Sequence, residues 1–122
     1  YLCYLYPCTP LLEKKTLIDS FKIIKKKNYE KLFTISKFQS NIERAIKKKE
    51  NGDIQYRNKS FKYSRSQDLK QYYFDAGQFY WFNLRKNTIK KIFGYELKFL
   101  ESIDINTNAD LKLASKLFKI KV

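Results

Sequence analysis

A mixed α/β sheet is the fold class the sequence predicts, on three observations. Short apolar and aromatic runs recur at strand-like spacing, two stretches carry apolar residues at helical spacing, and Asn51-Gly52 lies between two further apolar runs. At 122 residues the chain holds one domain at most, since domains usually run to roughly 100–150 residues. Its 43% apolar and 17% aromatic content belongs to a folding sequence rather than to a disordered basic tail.

Tyr1 to Tyr6 is an apolar-aromatic run stopped by Pro7 and Pro10, which predicts a buried strand opening into a loop. From Leu12 to Lys26, Leu17, Phe21 and Ile24 recur at helical spacing and Ile18 and Ile23 widen the stripe, as in an amphipathic helix lying on a sheet. From Lys31 the period becomes two, with Leu32, Thr34 and Ser36 alternating against Phe33, Ile35 and Lys37 in a second strand. Ile42 to Lys48 and Ile54 to Tyr56 flank Glu50-Asn51-Gly52-Asp53, a hairpin signal because both Asn and Gly tolerate positive φ. Arg57 to Gln71 is polar and reads as an extended or projecting loop.

Phe74 to Phe82 is the densest aromatic run, a central or interface strand in which Gly77 permits a bulge. Phe93 to Leu100 and Ser102 to Asn106 read as two more strands. Thr107 then supplies an N-cap, Asp110 stands where a helix N-terminus favours an anion, and Leu111, Ala114, Leu117 and Phe118 form the stripe of a closing helix.

The chain has no histidine, which removes Ser–His and Cys–His nucleophiles and every histidine-containing zinc site. Cys3 and Cys8 cannot form a four-thiolate site and make no disulfide framework, so a reducing cytoplasm is expected. No apolar run approaches the roughly 20 residues of a membrane span. The absence of Met and a start inside a strand are read as a piece of a longer protein. Twenty-six Lys and Arg against 12 Asp and Glu give +14, a charge that admits nucleic acid, phosphate-rich ligands or anionic membranes as partners. The lysine clusters stand among Ile, Phe, Tyr and Asn and read as solvated faces, and the aromatics Tyr72, Tyr73, Phe79, Tyr80 and Trp81 as core or interface. Neither a specific nucleic acid nor a membrane is expected.

Asp104 and Asn106, placed two apart on an extended backbone, share a face before a capped helix. They serve either turn and capping chemistry or a site for a hard cation such as Mg²⁺. Arg65 either forks onto a carboxylate or phosphate or pairs on the surface with Asp68. Tyr6 to Pro10, with Thr9, either lines a crevice at a strand's carboxyl end or forms a rigid turn.

These stretches together resemble the carboxyl-terminal part of the acylneuraminate cytidylyltransferase family, most closely its pseudaminic acid branch. The motifs are Tyr6-Pro7-Cys8-Thr9-Pro10, Phe33-Thr34-Ile35-Ser36 with Ile42-Glu43-Arg44, Ser64-Arg65-Ser66-Gln67-Asp68, Phe74-Asp75-Ala76-Gly77-Gln78-Phe79, and Asp104-Ile105-Asn106-Thr107 with Asp110. The resemblance implies a Rossmann-like fold of the nucleotide-diphospho-sugar transferase type. Residues 1–122 would be the carboxyl-terminal part of a single domain, with a dimerisation and sugar-binding arm at about 41–73. It further implies transfer of CMP from CTP to a nine-carbon acidic sugar with release of pyrophosphate, for cell-surface glycan or flagellin glycosylation, in a cytoplasmic homodimer using Mg²⁺. Asp104 would be a catalytic metal ligand with Asn106 beside it. Arg65 would hold the acidic sugar, and Thr9, Gln67, Asp75 and Gln78 would lie near the substrate.

The chain departs from the family's pattern in three ways. Cys8 replaces a threonine, Asn106 replaces the second metal-site carboxylate, and the glycine-containing loop that cradles the CTP phosphates is not among these residues. Lack of turnover by this chain alone is therefore expected. A remnant that keeps sugar-arm and dimer surfaces, and a basic nucleic-acid-binding module, are the alternative readings.

Overall fold

The computed structural model describes residues 1–121, which divide into two units: residues 1–36 with 75 onward, and residues 37–74. In the larger unit the strands follow the order β1-β5-β2-β6, where β1 is Leu2–Leu5, β2 Lys31–Lys37, β5 Tyr73–Phe82 and β6 Ile92–Glu96. β1 runs antiparallel to β5 and β2 parallel to β6, so the sheet is mixed, as the sequence predicts.

Helix α1, Lys14–Lys27, covers one face. Thr16, Ser20 and Ile24, four residues apart, form its buried line. Leu17, Phe21 and Ile23 pack beside that line, whereas Ile18 stays exposed on the far side. The helix stops at Asn28, which takes the left-handed conformation at φ 52° and donates its N–H to the Ile24 carbonyl. Ile24, Leu32 and Phe79 are fully buried and form the centre of the core. Trp81 Nε1 donates to Ser20 Oγ at 3.0 Å, tying β5 to α1.

Several sequence expectations are corrected. The first strand is not buried: β1 lies at the sheet edge with one neighbour among the described residues, so its side chains lack cover. β6 ends at Glu96 rather than at residue 100, because the chain turns into a 3-10 helix at Phe99–Ser102. Residues 103–106 form no strand. Helix α2, Asn108–Lys121, buries Ala114, but Leu111 and Phe118 remain about half exposed, so the anticipated stripe is only partly covered.

β5 is central, lying between β1 and β2. Its alternation breaks at Gly77, where φ is +61°, so that Gln78 and Phe79 are both buried in succession. That conformation carries no steric penalty in glycine and is strained in other residues.

The smaller unit contains the hairpin of β3, Ile46–Lys48, and β4, Ile54–Tyr56. At its tip Gly52 alone takes positive φ, while Asn51 holds the turn with its side chain: Oδ1 accepts from Asp53 N at 3.1 Å. Ile42–Arg44 is a 3-10 turn rather than strand, capped by the Asn41 side chain. The polar stretch after β4 folds into two more such turns, Lys59–Phe61 and Ser66–Asp68. Among the described residues no helix is long and apolar enough to cross a membrane.

Candidate functional site

Three segments of the larger unit meet at one end of the sheet. Beyond β1, Tyr6 N donates to the Gln78 carbonyl at 3.0 Å, and Thr9 Oγ1 donates to the Tyr6 carbonyl at 3.0 Å. Gln78 N in turn donates to Thr34 Oγ1 of β2 at 3.2 Å, and its Nε2 reaches the Ile103 carbonyl at 3.5 Å. Leu97, just past β6, donates its N–H to Ile35 O at 2.8 Å. The carboxyl ends of β1, β2 and β6 therefore gather here, which is where open α/β sheets place their ligands.

Gln78 is fully buried, and its Oε1 has no hydrogen-bond partner among the described residues. A buried amide oxygen left unpaired costs roughly 1–3 kcal/mol and is uncommon in folded proteins. Asp75 stands nearby on β5 with both oxygens engaged: Oδ1 accepts from Gly77 N at 2.9 Å and Oδ2 from the Tyr80 hydroxyl at 2.8 Å. Residues 75 and 80 would face opposite sides of a regular strand, and the break at Gly77 brings them together. Burial, followed by the hydrogen bond to Asp75, pushes the Tyr80 phenol up to about 12. The sequence pointed to neither Tyr80 nor Thr34 as a site residue. Counting strand parity past Gly77 would have found Tyr80.

Asp104 and Asn106 do meet, although not on a strand. Asn106 Nδ2 donates to Asp104 Oδ2 at 3.0 Å within an irregular loop. Asp110 is occupied with the helix start: its Oδ2 accepts from Thr107 Oγ1 at 2.7 Å and Thr107 N at 2.8 Å, while Thr107 Oγ1 accepts from Asp110 N at 3.2 Å. This is a reciprocal cap with Asp in the third position. The Thr107 hydroxyl, followed by the backbone N–H groups of Thr107 and Asn106, holds the Asp110 carboxyl below its ordinary range.

Among the described residues no group of three His, Cys, Asp or Glu side chains could hold a metal ion. The candidate donors for Mg²⁺ are one partly buried carboxylate, Asp104, and the amide of Asn106, whose Nδ2 lies 3.0 Å from it. Turning that amide over sets its oxygen beside the carboxylate. The pair then fits the mode in which Mg²⁺ takes one or two protein oxygens and fills its shell with phosphates and water.

Arg65 and Gln67 belong to the smaller unit. Arg65 Nε donates to Asp68 Oδ2 at 2.9 Å in an exposed ion pair, and Gln67 is exposed in the turn between them. Nearby, the Tyr72 hydroxyl donates to Glu43 Oε1 at 2.9 Å.

No family model matches the chain. It is 31% identical over 127 residues to a pseudaminic acid cytidylyltransferase of Campylobacter jejuni serotype O:23/36, a match covering 98% of this chain and 54% of that protein. The pseudaminic acid cytidylyltransferase of Campylobacter jejuni serotype O:2 gives the same figures, 31% identity over 98% of this chain and 54% of the relative. A Helicobacter pylori protein named as a pseudaminic acid cytidylyltransferase and UDP-2,4-diacetamido-2,4,6-trideoxy-beta-L-altropyranose hydrolase is 38% identical over 79 residues, 64% of this chain and 15% of that protein. The chain spans about half the length of the Campylobacter relatives.

Proposed function

We propose, from the premise that the chain belongs to the family of the pseudaminic acid cytidylyltransferases, that it forms the sugar- and metal-binding part of an enzyme that transfers CMP. The reaction joins CMP from CTP to the anomeric hydroxyl of a nine-carbon acidic sugar such as pseudaminic acid and releases pyrophosphate. The observation that carries this reading is the convergence of the Thr9 turn, Gln78 and the loop of Asp104 and Asn106 at the carboxyl ends of β1, β2 and β6. With it we assign a Rossmann-like fold of the nucleotide-diphospho-sugar transferase type, a homodimer, and a dimerisation and sugar-binding arm at about residues 41–73. CTP is an intracellular nucleotide, so the reading places the reaction in the cytoplasm.

In this reading Asp104 and Asn106 hold one Mg²⁺, which when bound supplies positive charge to the phosphates during transfer. Asp75, fixed at both oxygens, presents a rigid acceptor to sugar hydroxyls, because neither its carboxylate nor the Tyr80 phenol has to be ordered on binding. Gln78 lies beneath the sugar, its Nε2 on the Ile103 carbonyl tying the start of the Asp104 and Asn106 loop to β5. In the smaller unit Arg65 exchanges its carboxylate partner Asp68 for the carboxylate of a sugar held by the other subunit of the homodimer, with Gln67 beside it. None of the three glycines forms a phosphate cradle: Gly52 is in a hairpin tip, and Gly77 and Gly94 are in strands. Turnover is accordingly not expected from this chain alone.

The test is a chimera in which this chain replaces the matching stretch of the Campylobacter jejuni O:23/36 relative, assayed with CTP, Mg²⁺ and pseudaminic acid for the CMP-sugar. Activity is expected, falling roughly 100-fold or more in Asp104→Ala. A folded chimera that makes no CMP-sugar while the parent relative does would overturn the reading. A second reading, a sugar-binding module without turnover, is favoured by Asn106, since a neutral amide stands beside Asp104. It predicts a chimera that binds the sugar and remains inactive.

A further inference from the structure

Successive residues of β5 serve opposite faces of the sheet. Trp81 faces α1, where its Nε1 meets Ser20 Oγ at 3.0 Å, so its neighbour Tyr80 faces the other side. There Tyr80 is fixed at several points. Phe33 of β2 stacks on its ring at 5.9 Å between centroids, the Lys31 ammonium lies 5.1 Å from the ring centre, and the Tyr80 hydroxyl donates to Asp75 Oδ2 at 2.8 Å.

Tyr6, just past β1, extends this cluster. Its ring meets Tyr80 edge-on at 5.9 Å and Tyr4 edge-on at 5.2 Å, so three tyrosines form one wall whose Tyr80 end holds Asp75. Tyr6 is 41% exposed, and Tyr4 and Asp75 are exposed as well. The backbone places Tyr6 independently of its ring: its N–H donates to Gln78 O, and its carbonyl accepts from Thr9 Oγ1. A carboxylate with both oxygens engaged therefore stands beside an open aromatic surface, at the end of the sheet where the sugar is placed.

We propose that Tyr6 is a specificity-determining residue of the sugar site, its ring selecting acidic sugars with amide-linked methyl groups over those with hydroxyls in their place. Methyl and C–H groups gain contact against an aromatic ring, whereas a hydroxyl pressed on it loses water and gains no partner. The Tyr80 hydroxyl is committed to Asp75 and is not free to donate to the sugar instead. Asp75 in turn accepts from a sugar O–H or N–H, so one end of the wall reads a donor and the rest reads apolar surface. A methyl-sized difference in an apolar contact is worth roughly 10–200-fold in discrimination. The inference rests on the sugar-binding reading of this end of the sheet and names the part of the sugar that it recognises.

The experiment uses the chimera with the Campylobacter jejuni O:23/36 relative and compares pseudaminic acid, a diacetamido sugar, with a nine-carbon acidic sugar that carries hydroxyls and no acetamido group. For pseudaminic acid, kcat/KM should fall at least about tenfold in Tyr6→Ala and stay within about threefold of the parent in Tyr6→Phe, which keeps the ring. For the hydroxylated sugar both variants should stay within about threefold, so that the preference shrinks in Tyr6→Ala alone. An equal loss for both sugars, or a preference that Tyr6→Ala leaves intact, would overturn the proposal. If the chimera makes no CMP-sugar, calorimetric binding of the two sugars reads the same ratios. A ring-dependent preference then upholds the role of Tyr6 while the transfer reading falls, and absence of pseudaminic acid binding overturns both. An active chimera with a ring-independent preference overturns the role of Tyr6 alone. Should Tyr6→Ala lose its circular dichroism, nuclear Overhauser contacts between tyrosine ring protons and the acetamido methyls in the unsubstituted chimera decide the matter, and their absence overturns the proposal.

Discussion

Replacing Asn106 with aspartate tests the metal-binding role through stability alone. In the parent, Asn106 Nδ2 donates to Asp104 Oδ2 at 3.0 Å. The substitution removes this hydrogen bond, worth about 1 kcal/mol net. It also sets two carboxylate oxygens about as far apart as the present pair, where two unit charges in water repel by about 1.4 kcal/mol. Physiological salt reduces that repulsion to about 1 kcal/mol. The sum is about 2 kcal/mol, which for a chain of this size lowers the melting temperature by roughly 6–10 °C. Melting followed by circular dichroism in EDTA should show the drop. Millimolar Mg²⁺ should then recover more in Asn106→Asp than in the parent, because two carboxylates hold a hard cation better than a carboxylate and an amide. Equal melting in EDTA, or a Mg²⁺ effect no larger than the parent's, would refute the assignment of this pair as a cation site.

Three further outcomes follow from the geometry. Phe79→Ala empties the fully buried centre of the core and should cost about 3–5 kcal/mol in urea titration; a cost below about 1 kcal/mol would place the core elsewhere. The backbone N–H groups of Lys91 and then Lys90 hold the Glu30 carboxyl below its ordinary range. Its contribution is complete above about pH 4.3, the unfolded value, and is lost as pH falls through the lower folded one, so Glu30→Gln should flatten the acid limb of stability against pH; identical limbs would count against that role. The Tyr80 phenol, pushed up to about 12, keeps its proton in the fold while an unfolded tyrosine loses it near pH 10, so stability should fall between these values. The phenolate absorbance step at about 12 should vanish in Tyr80→Phe, and a step that persists would assign it to another tyrosine.

Much of this fold is legible in local pattern. The spacing of Leu17, Phe21 and Ile24 gives α1, the alternation of Leu32, Thr34 and Ser36 gives β2, and Asn51-Gly52 gives the hairpin, because each signal lies within a few residues. The misplaced elements depend on what stands beside them. Tyr1 to Tyr6 has the composition of a buried strand, but burial is a property of neighbours, and β1 has one among the described residues. Residues 102–106 alternate like a strand, yet they follow a 3-10 turn and find no sheet to join. Within the candidate site the closeness of Asp104 and Asn106 is visible as two polar residues two apart, although a loop rather than a strand brings them together. The burial of Gln78 against Thr34 and the Ile103 carbonyl is invisible in sequence, since those contacts span 44 and 25 positions.

The bond from Trp81 to Ser20 has a practical consequence, because Trp81 is the chain's single tryptophan. Its indole is wedged between strand and helix, touching Phe21 at 5.0 Å between ring centroids, so its emission responds to the lifting of α1 from the sheet. The smaller unit contains tyrosines and no tryptophan. Fluorescence excited at the indole is therefore an intrinsic probe of one layer of one unit, and circular dichroism sums over the whole chain. Superimposable denaturation curves from the two probes would mean that the hairpin unit and the helix-covered sheet melt in a single cooperative step, whereas separated curves would give each its own stability without any label being attached.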